Sequence, residues 1–357
     1  MQNHSLNVIT KIAWTLTFML LGTVGAARAS AQSWQRTELP ITRTILSDGT
    51  PRYSVQIKIG SRSVMAGLDT GSVGLRVLSR FLYKDYSPQS SIDSDYIFGS
   101  GVELKGNIVK SSVTFGDISG SPLLEFVREV GCVADQPHCP AKLLPPSEYG
   151  LLGDGLPYQG FGAILGVGMG ESEIHNPLLA LGVHRWIIEI PQRKDSSDGR
   201  LILNPTQKEL EGFIDIQTIP PFSKYSGALH DAVRGCIINT DANDKDCGVV
   251  ILDTGDPGIR IISSSSSTRH WKENIAATLI LANEKNIIRA AEKFETDSQD
   301  KSRRLKIDSE SKPTLSYILT GLCLYNGFYI MYDHDQKTIA FKPRLPQSNS
   351  YMSMEVK

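Results

Sequence analysis

Apolar and polar residues alternate along several short segments of the chain, a pattern that predicts β-strands with one buried face. The clearest example is residues 53–59, Tyr-Ser-Val-Gln-Ile-Lys-Ile, within a longer alternating stretch at 38–61. Other short apolar segments are bounded by glycine or polar turns, as is typical of strands joined by tight connections. They lie at residues 96–101, 113–116, 162–168, 185–190, 199–203, 317–321, 328–333 and 338–341. The pattern predicts a mainly β protein, and its 31 glycines agree with many tight turns.

The best helix candidate is residues 270–294, where apolar side chains are spaced as on one helix face, at Ile275, Leu279, Ile287, Ile288 and Ala291. The serines at 263–267 predict a linker into that helix. Residues 295–312 are dense in charge and predict an exposed loop. The tail beyond Pro346 is expected to be frayed.

One ten-residue pattern occurs twice, 184 positions apart. The copies are Leu-Asp-Thr-Gly-Ser-Val-Gly-Leu-Arg-Val at 68–77 and Leu-Asp-Thr-Gly-Asp-Pro-Gly-Ile-Arg-Ile at 252–261, with six of ten positions identical. An apolar run precedes each copy, so each is interpreted as a strand that enters a tight glycine turn. A repeat at about half the chain length predicts two similar lobes, which present Asp69 and Asp253 from equivalent turns.

Two lobes that face each other would place these two carboxyl groups side by side, an arrangement suited to general acid–base chemistry. Two carboxylates within hydrogen-bonding distance cannot both ionise cheaply, so they share a proton and titrate as a unit. The ionised partner can take a proton from a bound water, while the protonated partner polarises a substrate carbonyl. We therefore expect direct attack by water, without a covalent intermediate.

The first 31 residues have the composition of an export signal. They contain Lys11, an apolar stretch at 12–25 and a small-residue cleavage site, Ala-Ser-Ala, at 29–31, with no acidic residue. A retained N-terminal anchor is the alternative, although the apolar stretch is short for a membrane span. Removal of the signal changes the net charge from −1 to −3, because it takes away Lys11 and Arg28. Near-neutral charge argues against nucleic acid or an anionic membrane as partner of the mature protein, which we expect in the periplasm or outside the cell.

Five cysteines in an exported chain favour two disulfides and one free thiol. The local pairs are expected to be Cys132 with Cys139 and Cys236 with Cys247, which leaves Cys323 as a buried thiol. A metal site at Cys132, His138 and Cys139 is a weaker alternative, because no fourth ligand lies nearby in the sequence.

In the order of their landmarks, these segments resemble the pepsin-like aspartic proteases, of the bacterial type without a prosegment, across residues 37–343. The landmarks are Asp-Thr-Gly-Ser at 69–72, Phe-Gly-Ser-Gly at 98–101, Ile-Leu-Gly at 164–166, the segment 199–203, Asp-Thr-Gly at 253–255 and the strand pair at 329–341. The resemblance implies a bilobal, mainly β fold, with an N-terminal lobe at 36–184, a C-terminal lobe at 185–345, a tail at 346–357 and a cleft between the lobes. It implies a monomeric endopeptidase that uses no cofactor or metal and closes a flap over an extended peptide or protein substrate.

The resemblance gives the catalytic role to Asp69 and Asp253. Residues of the same two turns are expected to support the pair, namely Thr70, Gly71, Ser72, Thr254 and Gly255. The threonine hydroxyls can cross-brace the two turns, the glycines let backbone amides approach the carboxylates, and the serine can donate to the outer oxygen of Asp69. Phe98 and Gly99 correspond to the flap that contacts substrate.

Three positions depart from the family pattern. Phe98 stands where the family has a flap tyrosine, and Arg76 stands where it often has a tryptophan that binds that tyrosine, so we expect a different flap arrangement in which Tyr96 partly substitutes. Asp256 stands where the family has a serine or threonine. As a carboxylate it would raise the proton affinity of the pair, so its replacement by serine is expected to move the acid limb of the pH–activity curve downward. Alternatively, Asp256 only caps the following Pro-Gly turn.

Two other functions compete with the protease. A serine hydrolase is disfavoured because the chain has no Gly-x-Ser-x-Gly elbow. A pepsin fold that has lost activity and only binds a peptide or inhibitor is the stronger rival. The departures at Phe98, Arg76 and Asp256 favour it, whereas the two intact Asp-Thr-Gly triplets favour the enzyme.

Overall fold

The computed structural model describes residues 35–82, 92–142, 144–145, 147–191, 199–219, 231–308 and 313–344. The predicted export signal at 1–31 and the predicted tail at 346–357 lie outside these residues. No helix within the described ranges is long and apolar enough to cross a membrane.

The protein is mainly β, with 51% strand and 7% helix, which confirms the fold class predicted from the alternating pattern. The strands of the first half are β1 (Thr37–Ile45), β2 (Pro51–Ile59), β3 (Arg62–Asp69), β4 (Val73–Leu78), β5 (Ile92–Ile97), β6 (Val102–Lys110), β7 (Val113–Phe115), β8 (Ile118–Gly120), β9 (Leu123–Cys132) and β10 (Ala163–Val167). Those that follow are β11 (Arg185–Glu189), β12 (Gly199–Leu203), β13 (Ile214–Gln217), β14 (Ala232–Asn239), β15 (Asp244–Ile251), β16 (Ile259–Ile262), β17 (Ala276–Ala282), β18 (Ile288–Glu295), β19 (Leu305–Asp308), β20 (Ser316–Leu319), β21 (Phe328–Asp333) and β22 (Thr338–Pro343). The α-helices are single turns: α1 (Pro177–Ala180), α2 (Gln207–Leu210) and α3 (Cys323–Gly327).

The strands form two sheets. Among the described residues, fifteen strands build the larger one, in the order β13-β22-β21-β11-β12-β1-β2-β3-β10-β4-β9-β6-β5, with β7 attached to β2 and β8 attached to β7. Its two parts are joined by β1, because residues 37–41 of that strand pair with β12 and residues 42–45 pair with β2. The smaller sheet has the order β18-β17-β14-β15-β20-β16-β19.

A five-strand arrangement occurs once in each sheet. The larger sheet contains β2-β3-β10-β4-β9, and the smaller contains β14-β15-β20-β16-β19. In both series, successive neighbours are antiparallel, parallel, antiparallel and parallel. Asp69 ends β3, and Asp253 follows β15, which holds the same place in its series. The sequence repeat is therefore also a repeat of topology.

The apolar core is continuous between the two halves of the chain. Both β4 and β10 are buried along their whole length, which explains why these segments lack a polar face. One cluster of buried side chains contains Leu68 and Leu75 of the first repeat together with Leu252 and Ile259 of the second. The turns that carry the two aspartates are thus anchored on both sides by the same packed interior.

The predicted helix at residues 270–294 is wrong, because this segment forms the hairpin of β17 and β18. β17 is apolar at almost every position and nearly all of it is buried, whereas β18 alternates buried and partly exposed residues over much of its length. A continuous apolar run has no period, so the spacing that suggested a helix fits a buried strand equally well. The turn at residues 283–286 decides the outcome, since Asn286 adopts the left-handed conformation with φ 59°.

Two neighbouring predictions also need correction. The serines at 263–267 lead only into a single 3-10 turn, Thr268–His270. Residues 295–312 are not all exposed loop, because Leu305–Asp308 forms β19 and pairs with β16, and Leu305 is buried. A strand of only four residues in such a charged segment gives too little apolar alternation to be recognised from the sequence.

The cysteine predictions are confirmed. Cys132 is bonded to Cys139 and Cys236 to Cys247, while Cys323 is a buried free thiol. The alternative metal site that included His138 is excluded, because both of its thiols are in a disulfide.

Candidate active site

The two Asp-Thr-Gly turns are joined by reciprocal hydrogen bonds between their threonines. The Thr70 amide donates to Oγ1 of Thr254 at 3.1 Å, and the Thr254 amide donates to Oγ1 of Thr70 at 3.0 Å. Each hydroxyl then donates to a backbone carbonyl of the opposite strand end: Thr70 to Leu252 at 2.9 Å, and Thr254 to Leu68 at 2.7 Å. Because both threonines are buried, this cross-brace fixes the separation of the two turns.

A tyrosine pair that the sequence reasoning missed extends the cross-brace. The Tyr325 hydroxyl, on α3, donates to Oγ1 of Thr70 at 3.0 Å and lies 2.7 Å from the Tyr332 hydroxyl. Both rings are buried, and burial raises the pKa of each hydroxyl. They therefore stay neutral and bind the brace without adding charge beneath the aspartates.

The two aspartates face each other across the braced turns. A Cβ placed on Gly71 would lie 2.5 Å from Cγ and Oδ1 of Asp253, and a Cβ on Gly255 would lie 2.6 Å from Oδ1 of Asp69. Any larger side chain at either glycine would thus displace the opposite carboxyl group. The repeat requires glycine at both positions because each carboxyl packs against the backbone of the other turn.

Asp69 is held by two donors and is almost fully buried, with 4% of its surface exposed. The Gly71 amide donates to its Oδ1 at 2.9 Å, and the Ser72 hydroxyl donates to its Oδ2 at 2.7 Å. Each of its two carboxyl oxygens therefore has a donor of its own.

Asp253 has a different environment and remains partly exposed. The amides of Gly255 and Asp256 both donate to its Oδ1, at 2.8 and 3.2 Å, and no described residue donates to its Oδ2. Burial raises the pKa of Asp253 well above its ordinary value, and the charges of Asp69 and Asp256 raise it further. Burial and the neighbouring negative charges thus favour the protonated form of Asp253.

Asp256 fits both interpretations drawn from the sequence. Its Oδ1 accepts a hydrogen bond from the Gly258 amide at 3.3 Å, which caps the Pro-Gly turn. Its charge also acts on the pair, because it contributes to the raised pKa of Asp253. A serine at this position could have donated to Asp253, as Ser72 does to Asp69.

Arg52, on β2, is a second site residue that the sequence reasoning missed. Its guanidinium is partly buried and donates to the carbonyls of Gly255 and Leu152, at 3.0 Å for the latter. Burial lowers the pKa of Arg52, and the nearby charges of Asp256, Asp253 and Asp69 act in the opposite direction. Arg52 thus ties the second turn to the first half of the chain and partly offsets the negative charge of the site.

The hairpin of β5 and β6 corresponds to the expected flap. Phe98 and Gly99 lie at its turn, where the Phe98 amide bonds to the Val102 carbonyl at 2.9 Å. Phe98 packs edge-on against Tyr96, with ring centroids 4.9 Å apart. At the tip, a Cβ on Gly99 would lie 3.8 Å from Nη1 of Arg260, which belongs to the second repeat. The flap therefore reaches from one half of the molecule to the other.

A buried cation lies beneath the flap. The Arg76 guanidinium is 3.4 Å from the centre of the Tyr96 ring, and its Nε is 3.0 Å from the Glu125 carboxylate on β9. Arg76 and Glu125 are 1% and 0% exposed. Arg76 thus contacts a tyrosine of the β5–β6 hairpin, Tyr96, through a cation–π interaction.

The second repeat contains the equivalent ion pair in a partly exposed form. Arg260 occupies the place of Arg76, and its Nη2 lies 3.6 Å from Asp308 on β19. The two side chains are 25% and 19% exposed. β19 is parallel to β16 as β9 is parallel to β4, so the repeat includes an arginine and an acid from the adjacent strand.

Among the described residues, a single group of three side chains could hold a metal ion, and it does not include the aspartate turns. It consists of His184, His334 and Asp335, whose ligand atoms lie within 4.8 Å of one another. Lys337 Nζ is 3.0 Å from Nε2 of His334, and its positive charge disfavours a cation there. The expectation that the chemistry uses no metal or cofactor remains a prediction.

The sequence matches no model of a known protein family, and no curated protein shows significant similarity to it.

Removal of Arg76 should destabilise the fold strongly. In Arg76→Met, Glu125 would be left buried without its counter-ion, and we expect the free energy of unfolding to fall by about 3–5 kcal/mol. The double variant Arg76→Met/Glu125→Leu should recover most of that loss. Urea denaturation measures both effects. Arg260→Met is the matched control, with an expected loss of at most about 1 kcal/mol because its ion pair is partly exposed to solvent and its charges are 3.6 Å apart; equal losses at the two arginines would contradict the prediction.

Asp253→Asn should stabilise the protein more at neutral than at acidic pH. Because the folded-state pKa of Asp253 is raised above its ordinary 3.8, the folded state binds extra proton between these two values. The wild-type protein therefore loses stability as the pH rises from the ordinary to the raised pKa, by about 1.4 kcal/mol per pH unit. Urea denaturation at pH 4.0 and 7.5 should show an advantage of the variant that grows with pH. Asp117→Asn, at the exposed turn between β7 and β8, is the control, and an advantage of Asp253→Asn that does not grow would refute the raised pKa.

Proposed function

We propose that the protein is an aspartic endopeptidase with a bilobal, pepsin-like fold, whose lobes are residues 36–184 and 185–345. The observation that carries the proposal is the pair of equivalent turns, which are cross-braced so that the carboxyl groups of Asp69 and Asp253 face each other. Neither a nucleophilic serine nor a metal ion is needed for this chemistry, because paired carboxyl groups supply both a base and an acid.

The different environments of the two aspartates assign their roles. Asp69, whose oxygens accept hydrogen bonds from Gly71 and Ser72, is the ionised base and takes a proton from a bound water. The water oxygen attacks the carbonyl carbon of the scissile bond, while Asp253 gives its proton to the carbonyl oxygen. The resulting diol returns a proton to Asp253 as the carbon–nitrogen bond breaks, and Asp69 transfers its proton to the leaving amine.

The flap supplies the means of holding a peptide. Tyr96 and Phe98 offer apolar surface on the hairpin, and its tip at Gly99 lies near Arg260 of the opposite half. An extended peptide between this hairpin and the aspartates would be covered over several residues, so we infer an endopeptidase that acts on peptide or protein substrates as a monomer. The two disulfides fit an exported protein, and we propose a periplasmic or extracellular location.

A peptide-binding protein without activity is the second candidate. It is favoured by Asp256, because a carboxylate beside Asp253 adds negative charge where the pair must keep one ionised group. Arg52 offsets part of that charge, and both aspartates retain their backbone donors, so we favour the enzyme.

Hydrolysis of a denatured protein between pH 3 and 7 tests the proposal. Asp69→Asn and Asp253→Asn should each lower kcat by at least about 100-fold, because each removes a proton-transfer group. Asp117→Asn, the same chemical change at an exposed turn, should leave the rate unchanged. In H₂¹⁸O, mass spectrometry should find the label in the new carboxyl terminus. Full activity of Asp69→Asn would eliminate this mechanism, and inactive wild-type protein would favour the binding function.

Substitution of Asp256 should shift the pH dependence of kcat/KM. In Asp256→Ser, a negative charge next to Asp253 is lost, so the pKa of Asp253 falls and both limbs of the curve move to lower pH. Asp256→Asn should have the same effect, whereas Ser72→Asp adds a carboxylate at the equivalent position and should move the limbs to higher pH. Unchanged limbs in both Asp256 variants would mean that its charge does not reach the pair and that it serves only as the cap of its turn.

A further inference from the structure

A pocket of about 230 Å³ lies beside the second aspartate turn. Its walls come from both halves of the chain: the segment from Leu46 to Arg52 and residue Asp154 on one side, and residues 256–259 and 301–306 on the other. Asp256, which contributes to the raised pKa of Asp253, lines the pocket, although the two facing aspartates do not. The pocket is thus distinct from the aspartate pair but shares a turn with it.

The lining of this pocket contains more positive than negative charge. Four cations contribute to it, Arg52, Lys301, Arg304 and Lys306, against three carboxylates, Asp48, Asp154 and Asp256. The formal charge of the lining is therefore +1.

The three carboxylates of the pocket already accept hydrogen bonds from other groups of the protein. Asp48 accepts a hydrogen bond from the Thr50 amide at 2.9 Å and lies 3.7 Å from the Lys301 ammonium. Asp154 accepts from the Ser47 hydroxyl at 2.6 Å and from the Leu156 amide at 3.0 Å. Asp256 accepts from its own turn. Each carboxylate of the lining is thus held by at least one donor of the protein itself.

The cations are less well satisfied. Arg304 and Lys306 are exposed, and their side chains form no ion pair with any described residue. Arg52 is partly buried and bonded only to carbonyl oxygens, with no described carboxylate within ion-pair distance. A partly buried guanidinium without a carboxylate partner is stabilised by a bound anion, which accepts its remaining hydrogen bonds.

The pocket lies close enough to the aspartates to contact a substrate that is bound there. Asp256 lies three residues from Asp253, and three residues of chain span at most about 11 Å. A peptide side chain within about three positions of the scissile bond could therefore reach the pocket.

We propose that this pocket binds the ionised side chain of an aspartate or glutamate, and so selects peptides with an acidic residue within about three positions of the cleaved bond. The proposal rests on the endopeptidase function. It assigns Arg52, Arg304 and Lys306 as the residues that determine specificity.

Peptides that differ at one position test the proposal. A quenched fluorescent peptide is built around one bond that the protein cleaves in a denatured substrate, and each of the three positions on either side is replaced in turn by Glu, Gln and Lys. Assays at pH 5.5 keep glutamate ionised, since its ordinary pKa is about 4.3. At one position, kcat/KM for Glu should exceed that for Gln by about tenfold, and Lys should be the poorest. This preference should weaken between 50 and 500 mM NaCl.

Charge reversal at the pocket then identifies the responsible residues. Arg304→Glu/Lys306→Glu should abolish the Glu-over-Gln ratio or invert it in favour of Lys. Both side chains are exposed, so the fold should be retained, and urea denaturation checks this. The control is Lys58→Glu/Lys285→Glu, which makes the same change in net charge at exposed positions outside the pocket and should leave the ratio as in the wild type.

The outcomes separate this proposal from the function on which it rests. Cleavage without a charge preference at any position overturns the pocket assignment and leaves the endopeptidase intact, as does a preference that persists in the Arg304/Lys306 variant. If the denatured substrate is not cleaved, the endopeptidase function fails. Fluorescence anisotropy with one labelled peptide from that substrate, in versions with Glu and with Gln at each position in turn, then decides the binding claim, and equal affinities would overturn it.

Discussion

The reciprocal hydrogen bonds between Thr70 and Thr254 are the constraint on which the site depends. Two like-charged groups do not approach each other unless the backbone leaves them no alternative. Each threonine hydroxyl accepts a hydrogen bond from the backbone amide of the other threonine and donates to a carbonyl at the end of the opposite strand. The two turns therefore cannot move apart without breaking these buried hydrogen bonds. The Tyr325 hydroxyl, which is hydrogen-bonded to that of Tyr332, donates to Thr70 and so stabilises these bonds further. The facing carboxyl groups and the need for glycine at 71 and 255 follow from this fixed separation. It also keeps Asp69 close enough for its charge to add to the effect of burial on the pKa of Asp253.

The repeat is less symmetric in its electrostatics than in its strand order. The first copy holds its aspartate with a hydroxyl donor and buries its arginine ion pair. The second has a carboxylate in place of the hydroxyl, and its equivalent ion pair is partly exposed. Burial and negative charge raise the pKa of Asp253 in the second copy. In the proposed mechanism, one duplicated turn therefore supplies two chemical roles through the residues around it.

Much of the site was predictable because it is local. Asp69, Thr70, Gly71 and Ser72 are consecutive, and a duplicated motif already indicates which groups will face each other. What escaped prediction depends on tertiary contacts. Arg52 and Glu125 lie far along the chain from the residues they touch, and nothing in their own neighbourhoods distinguishes them from surface charges, although an arginine among apolar residues at 76 does require a buried acid. The false helix at 270–294 has the same origin: a fully buried strand has no period of its own, and only its neighbours in the sheet reveal it.

The pairing of β1 with two different strands has a consequence for how the molecule acquires its fold. Thr37 pairs with Leu203, 166 residues later, and β13 completes its edge only with β22 at the end of the described chain. Pairings of such long sequence separation give a high contact order, and the entropy of closing these large loops slows the search for the native state. The sheet that unites the two halves can therefore be completed only after the residues of β22 have been synthesised, and its early strands stay without their final partners until then.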